Sequence, residues 1–502
     1  MACYDPLLSP ASIRLVKLHR GLITDQPSFA LDVFHLDGSP PFDALSYTWG
    51  NPFPECLPLP ESHVGVDFDL DSETTLCNGR PFKVRRNLLD ALRRLQALPT
   101  PRLDHIHQSE YIWIDAICID QSNLEERAGQ VQIMGKIYAQ AEAVIVWLGE
   151  GDETVPAALS IIHRLAPFVE LPESSRDQAA ARAGMQGLSQ ISSYDIHDPA
   201  AIRQKLGIEF PETHEWLAFL VLMARPYFKR AWILQEIILA KSPVVVIGSS
   251  SCSFEMFSAA LYFLAWTGWA PQLDPELFRG VRRVALETDE RCAALRGVLD
   301  LEYTPMLSVT SILTCSGMPE EGWPFQPLLR QHRIREATDP RDKIYSLIGI
   351  SRVTALQTQA DSHVSGILKP NYRLSVRTLY IQTTRLILRE RQNLHLLLGK
   401  ESPIKTKLRD LPSWISDYTV AQVPGMMTDD AKAWCASDEP RWDWDGRGFE
   451  DPLLGARGYC VGVVMEHSIY PVNERQVPIL GSVGKLAENL PVYYRDDASK
   501  PT

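Results

Sequence analysis

Apolar positions in the first half of the chain fall into short solid runs separated by helically spaced sets. Phe42-Asp43-Ala44-Leu45-Ser46-Tyr47-Thr48-Trp49-Gly50 reads as a short strand that stops at Gly50, with Asn51-Pro52 turning the chain away. The proline-rich, acidic stretch from Phe53 to Glu73 reads as a surface loop. Thr74 to Cys77 and Phe82 to Val84 flank Asn78-Gly79, a pair that supplies the positive backbone angles of a tight hairpin turn. From Asn87, a good cap, Leu88, Leu92 and Leu95 recur at helical spacing.

Tyr111 to Ile119 is almost wholly apolar, which predicts a central parallel strand covered on both faces. Ser122-Asn123-Leu124-Glu125 has capping-box spacing, and Ala128, Val131, Met134, Tyr138 and Ala141 carry a helix onward. Ala143 to Leu148 predicts another buried strand, ended by Gly149. The pattern weakens between Glu150 and Glu212, and an alanine-, serine- and glutamine-rich section from Ser174 to Ser193 suggests a helical insertion with a mobile part. Glu212 to Ala224 restores helical order. A second helix is expected to start near Pro226 and to run through Arg230 to Ala240, before a β-branched strand at Val244 to Ile247.

Strands alternating with helices predict an α/β fold built on a parallel sheet with flanking helices. The expected division is an N-terminal segment 1–41, an α/β domain 42–253 with an insertion at about 151–212, and a mostly helical region 254–502. That last region includes helices at Asp342 to Ile350 and Val376 to Arg389 and a strand-like stretch at Tyr459 to Val464. A length of 502 residues suits two or three domains, and 45% apolar with 22% charged residues suits a folded soluble chain.

A net charge of -12 argues against an electrostatic grip on nucleic acid or anionic lipid. Nine scattered cysteines without a Cys-x-x-Cys pair read as reduced thiols. Met1 to Pro10 lacks a secretory pattern, and the longest apolar runs fall short of the roughly 20 residues that span a bilayer. A cytoplasmic location without membrane contact is expected.

The strongest chemical clue is an acid inside an apolar helix. Glu236 follows Trp232 by four residues in Arg230-Ala231-Trp232-Ile233-Leu234-Gln235-Glu236, so the two share a helical face. An ionised carboxylate in such a setting needs a partner: Arg230, water or a ligand. Serine-hydrolase, P-loop and zinc-protease motifs are missing, Gly446-Arg447-Gly448 is an incomplete dinucleotide fingerprint, and the dispersed histidines support no metal site.

Four blocks, ALSYTWG at 44–50, YIWIDAICIDQ at 111–121, RAWILQE at 230–236 and ATDPRDKIYSLIGI at 337–350, resemble the heterokaryon incompatibility (HET) domain family of filamentous fungi and the region just downstream of that domain. The resemblance implies programmed cell death after fusion of genetically unlike cells, and a distant likeness to TIR domains with their flavodoxin-like sheet. Many TIR domains cleave NAD with a glutamate four residues after a tryptophan, the spacing of Trp232 and Glu236. By that likeness Glu236 is the catalytic candidate and NAD the candidate substrate, with no bound cofactor.

Ligands of open α/β sheets lie at the carboxyl ends of the strands, which selects Tyr47, Trp49 and Gly50 after the first strand and Asp120 after the second. Tyr47 or Trp49 could stack on a base, Gly50 could admit a phosphate, and Arg230 could pair with pyrophosphate. Each has a plainer alternative. Glu236 could hold Arg230 or Lys229 in a structural pair, Trp49 and Trp232 could be core aromatics, Asp115 could be tied to backbone donors, and Asp120 could simply lead into a helix. Asp339, Arg341, Asp342 and Lys343 are expected to start a helix and fix it to the α/β domain by ion pairs. Two functions therefore stand open: a nucleotide hydrolase that works on self-association, or a non-catalytic module that binds an unknown protein partner while the C-terminal region senses or restrains it.

Overall fold

The computed structural model describes residues 4–18, 27–70, 72–97, 109–169, 209–301, 322–351, 368–391 and 407–421, with single positions between them. The stretches Ser174 to Ser193, Arg441 to Gly448 and Tyr459 to Val464 lie outside the described residues. Described strands are β1 (Ser12–Leu18), β2 (Ser28–His35), β3 (Phe42–Tyr47), β4 (Ser72–Cys77), β5 (Arg80–Arg85), β6 (Tyr111–Trp113), β7 (Val144–Trp147), β8 (Pro243–Ile247) and β9 (Ser250–Ser253). Described helices are α1 (Arg86–Ala97), α2 (Asp115–Cys118), α3 (Leu124–Gln140), α4 (Val155–Leu165), α5 (Thr213–Met223), α6 (Ile233–Ile238), α7 (Phe254–Trp266), α8 (Pro275–Thr288), α9 (Glu290–Leu295), α10 (Phe325–Gln331), α11 (Asp342–Ile348) and α12 (Val376–Arg391).

The strands form one mixed sheet in the order β5-β4-β2-β1-β6-β3-β7-β8-β9. Its parallel centre is β6-β3-β7-β8, with Ala44 opposite Val144 and Tyr47 opposite Trp147. Numbered along the chain, these four strands stand in the spatial order 2-1-3-4, the beginning of the doubly wound flavodoxin-like order. The expected α/β class is therefore observed. Burial explains the central runs: every residue of β7 is buried, as a strand covered on both faces requires. In the hairpin of β4 and β5, Asn78 and Gly79 adopt φ of 50° and 71°, the positive angles its tight turn needs.

Residues 1–41 supply two strands of this sheet: β1 pairs antiparallel with β6 and with β2, so the sheet extends well past its parallel centre. Three local expectations are corrected. The run Tyr111 to Ile119 is a strand only to Trp113. Asp115 accepts a hydrogen bond from the N–H of Ala116 at 2.7 Å, and the chain turns into α2. The cap of α3 is Asn123, which accepts from the N–H groups of Glu125 and Glu126, while the Ser122 hydroxyl is taken by Asp120.

No single helix runs from Pro226 to Ala240. Pro226–Lys229 is a 3-10 turn, Arg230 is extended at φ -65° and ψ 138°, and α6 has six residues. Tertiary pairing ends the turn, because Arg230 bridges Glu336 and the Ala231 N–H donates to the Glu336 carbonyl at 2.8 Å.

β9, a polar strand the sequence pattern did not disclose, returns antiparallel beside β8. Beyond it the described elements are helices and 3-10 turns joined by irregular chain, and α11 and α12 fall on the anticipated stretches. None of the helices among the described residues is long and apolar enough to cross a membrane. The described cysteines, Cys56, Cys77, Cys118, Cys252 and Cys292, are unbridged.

Candidate functional site

Strand β3 delivers Ser46 and Tyr47, 1% and 2% exposed, to the carboxyl end of the parallel centre. Helix α6 delivers Glu236 to the same place. Its carboxylate is 2% exposed and receives the Arg230 guanidinium in a two-armed pair, Nη1 to Oε2 and Nη2 to Oε1, each at 3.3 Å. The Ser46 hydroxyl donates to Oε2 as well. With its single proton so committed, Ser46 must accept from the Tyr227 hydroxyl, 2.6 Å away. A relay therefore runs from Tyr227 through Ser46 to Glu236.

Why α6 sits there is a matter of close packing. The Gln235 side chain wedges between two glycines: a Cβ on Gly135 of α3 would lie 3.3 Å from Gln235 Nε2, and one on Gly349 after α11 would lie 2.7 Å from Gln235 Cδ. Arg335, fully buried, donates to the Phe228 carbonyl at 2.8 Å and holds the turn before Arg230.

Asp115, at the start of α2, is partly buried as a residue. Its Oδ2 accepts from the Trp49 indole at 3.0 Å and its Oδ1 from the Ala116 N–H. Burial of the carboxyl raises it to about 6; Arg230 opposes the rise and Glu236 adds to it. Burial also works against the charge of Arg230, but Glu236 and Asp115 together more than offset that and hold the guanidinium above its usual range. Burial raises Tyr47 and Tyr138, and both feel the same three charges.

Arg230 meets Glu236 directly and Trp49 meets Asp115, while Tyr47 and Asp115 feel the charges of that ion pair. Trp232 is half-buried at the edge, where its indole donates to Asp342 Oδ2 at 3.3 Å. A side chain at Gly50 would collide with the carboxylate of Asp69, so an acid, not an anion-binding opening, faces that backbone. Asp120 stands apart. It accepts from the Ser122 N–H at 3.1 Å and gives its own N–H to Glu126, whose carboxylate pairs with buried Arg14.

The 339–343 block lies against the site helix. Asp339 accepts from the Arg341 N–H and guanidinium, and Arg127 of α3 reaches Asp342 at 3.6 Å and Asp339 at 4.0 Å. Lys343 donates to the carbonyls of Arg333 and Arg335. Ser46, Tyr227 and Tyr138 were not anticipated. A serine at a wholly buried strand position was the available signal, since such a hydroxyl needs a partner. No cluster of metal-ligating side chains occurs among the described residues.

Residues 42–236 match the family model described as heterokaryon incompatibility protein (HET), from the first residue of β3 to the acid of α6. Over 492 residues the chain is 24% identical to heterokaryon incompatibility protein 6, OR allele, of Neurospora crassa, covering 90% of this chain and 64% of that protein. No solved structure matches the chain.

Proposed function

We propose that this chain, a HET-domain protein, acts in self/non-self signalling of the heterokaryon incompatibility type, and that its α/β domain hydrolyses NAD or a related nucleotide through Glu236. Release of nicotinamide from a pyridinium yields a neutral base, so the leaving group needs no proton. Positive charge instead grows on the ribose, and a fixed carboxylate stabilises it as in other glycosyl transfers. The observation that carries this reading is the position of the Glu236–Arg230 pair at the carboxyl end of β3, where open α/β sheets bind ligands.

In this reading the arginine has two stations. It covers Glu236 at rest, and on nucleotide binding it moves to the pyrophosphate, for which its planar fork is suited. Its side chain is 17% exposed against 2% for Glu236, so it is the member of the pair with room to leave. The TIR likeness agrees with the 2-1-3-4 order of the parallel strands. Self-association would supply the trigger.

The test is nicotinamide release from NAD by the purified protein, free and held together by a fused dimeriser, beside Glu236→Gln. Turnover on association that the variant lacks supports the hydrolase. Absence of turnover in every assembled state removes it.

A second reading has its own observation. Glu236 is already satisfied by Arg230 and Ser46, as a structural pair would be. In that case the domain binds a protein partner without catalysis, and Glu236→Gln retains death signalling wherever it folds.

A further inference from the structure

We propose that Ser46 is the positioning residue of the Glu236 site: its hydroxyl keeps the carboxylate aimed once Arg230 has moved to the pyrophosphate, so that Oε1 is the oxygen that meets the ribose. This rests on the hydrolase reading and adds to it a role for a side chain that touches no substrate.

The two donors to Glu236 differ in what holds them. Arg230 stands on an extended segment ahead of α6, with its side chain partly exposed, and at rest it gives one arm to each carboxylate oxygen. Ser46 lies inside the sheet on β3, opposite Val146 of β7, and is fully buried. Tyr138 of α3 braces the same strand one residue earlier, donating to the Leu45 carbonyl at 3.2 Å. The serine gives its proton to Oε2 alone.

Departure of the guanidinium therefore has an unequal effect on the two oxygens. Oε1 loses the one donor it has among the described residues, while Oε2 keeps Ser46. At rest the serine is a second donor to an oxygen that already has one. With the arginine away it becomes the sole tether. A carboxylate as deeply buried as Glu236 cannot turn to bulk water for a replacement, and its flexible side chain would otherwise swing among rotamers. One oxygen anchored to a rigid strand and the other bare is the arrangement that holds a negative charge against a growing cation.

The direction of the serine proton is fixed in turn. Burial raises the Tyr227 phenol well above its usual range, so it stays protonated at neutral pH and available as a donor. Ser46, 2.6 Å away, accepts from it and has its own proton left for the carboxylate. Tyr227 is itself fully buried and packs edge-on against Phe228, with ring centres 5.4 Å apart. The anchor thus lies in the core, apart from the arginine that moves.

The test is steady-state release of nicotinamide from NAD by the full chain held together by a fused dimeriser, in the wild type and in Ser46→Ala, Ser46→Thr and Ser46→Val. Thr and Val add the same bulk to β3 and differ in keeping or lacking the hydroxyl, so any crowding is common to both. Ala and Val should lower kcat by about 100-fold, the cost of a misplaced reacting group. KM should change little, because the grip of Arg230 on the pyrophosphate is untouched. Thr should retain far more of kcat than Val. Should both larger variants fail to fold, Ala, which removes one oxygen and adds nothing, decides alone. Full kcat in Ser46→Ala, equal loss in Thr and Val, or a rise in KM at constant kcat makes Ser46 a packing residue and overturns the role. A wild-type protein without turnover in any assembled state overturns the hydrolase reading, and the positioning role with it.

Discussion

Glu236→Gln removes a charge that Arg230 was built around, so its first consequence is instability. The pair is broken from one side and leaves a guanidinium mostly withdrawn from water; a loss of about 3 kcal/mol is expected, the low end for a buried pair because the Arg230 edge stays wet. Urea unfolding should show a lower midpoint at unchanged slope, and adding Arg230→Met should recover part of the loss. Ser46→Ala leaves the Tyr227 hydroxyl without its acceptor and should cost about 1–3 kcal/mol. Adding Tyr227→Phe to that background should cost little more, since the hydroxyl has already lost its bond; an additive cycle would rule out the relay. At this scale the sequence disclosed the pieces that are near one another in the chain. Arg230, Trp232 and Glu236 could be grouped because they lie within seven residues of one another. Ser46 and Tyr227 could not, because 181 residues separate them and only the sheet brings them together.

Gln235 makes α6 a keyed element, and Gly349→Ala should jam the key. The new methyl would meet the buried Gln235 side chain at 2.7 Å with ordinary backbone angles at position 349, so the cost is overpacking, about 1–3 kcal/mol. Gln235→Ala should relieve it in a double-mutant cycle. The N-terminus of α11 carries a pH signal of its own. Burial raises Asp342 from 3.8 to about 6, against the hydrogen bond from Tyr372 and the charge of Arg127. Folded Asp342 thus binds its proton more tightly than unfolded Asp342, and its contribution to stability is lost as pH rises from about 4 to about 6. Asp342→Asn should flatten that part of a stability–pH curve by about 3 kcal/mol; an unchanged slope would refute the assignment. Elements whose ends are decided locally were legible: β7 and β8 by β-branched runs, the β4–β5 hairpin by Asn78-Gly79. Elements whose ends are decided by distant partners were not. Arg230 is extended because Glu336 pairs with its neighbourhood, and nothing in Pro226 to Ala240 announces that.

On the scale of the whole molecule, the matched stretch 42–236 is not the folding unit. β1 and β2 stand between β6 and the β4–β5 hairpin, β8 and β9 extend the sheet at its other end, and Arg335, Glu336 and Asp342 close over the segment that carries the acid. Cutting the chain after residue 253 would remove the donor to the Phe228 carbonyl, the acceptor of the Ala231 N–H and the acceptor of the Trp232 indole in one stroke. Each hydrogen bond so lost costs about 0.5–1.5 kcal/mol, against a total domain stability of only about 5–15 kcal/mol. We therefore expect residues 1–253 alone to lose amide-exchange protection across 228–236 while the hydrogen bonds of β7 and β8 stay protected, and residues 254–502 supplied in trans to restore it. Slow exchange at 228–236 in the isolated fragment would mean that the downstream block is dispensable for the site. Its grip on Trp232 would then be a removable restraint, and the fragment should signal or turn over NAD without association.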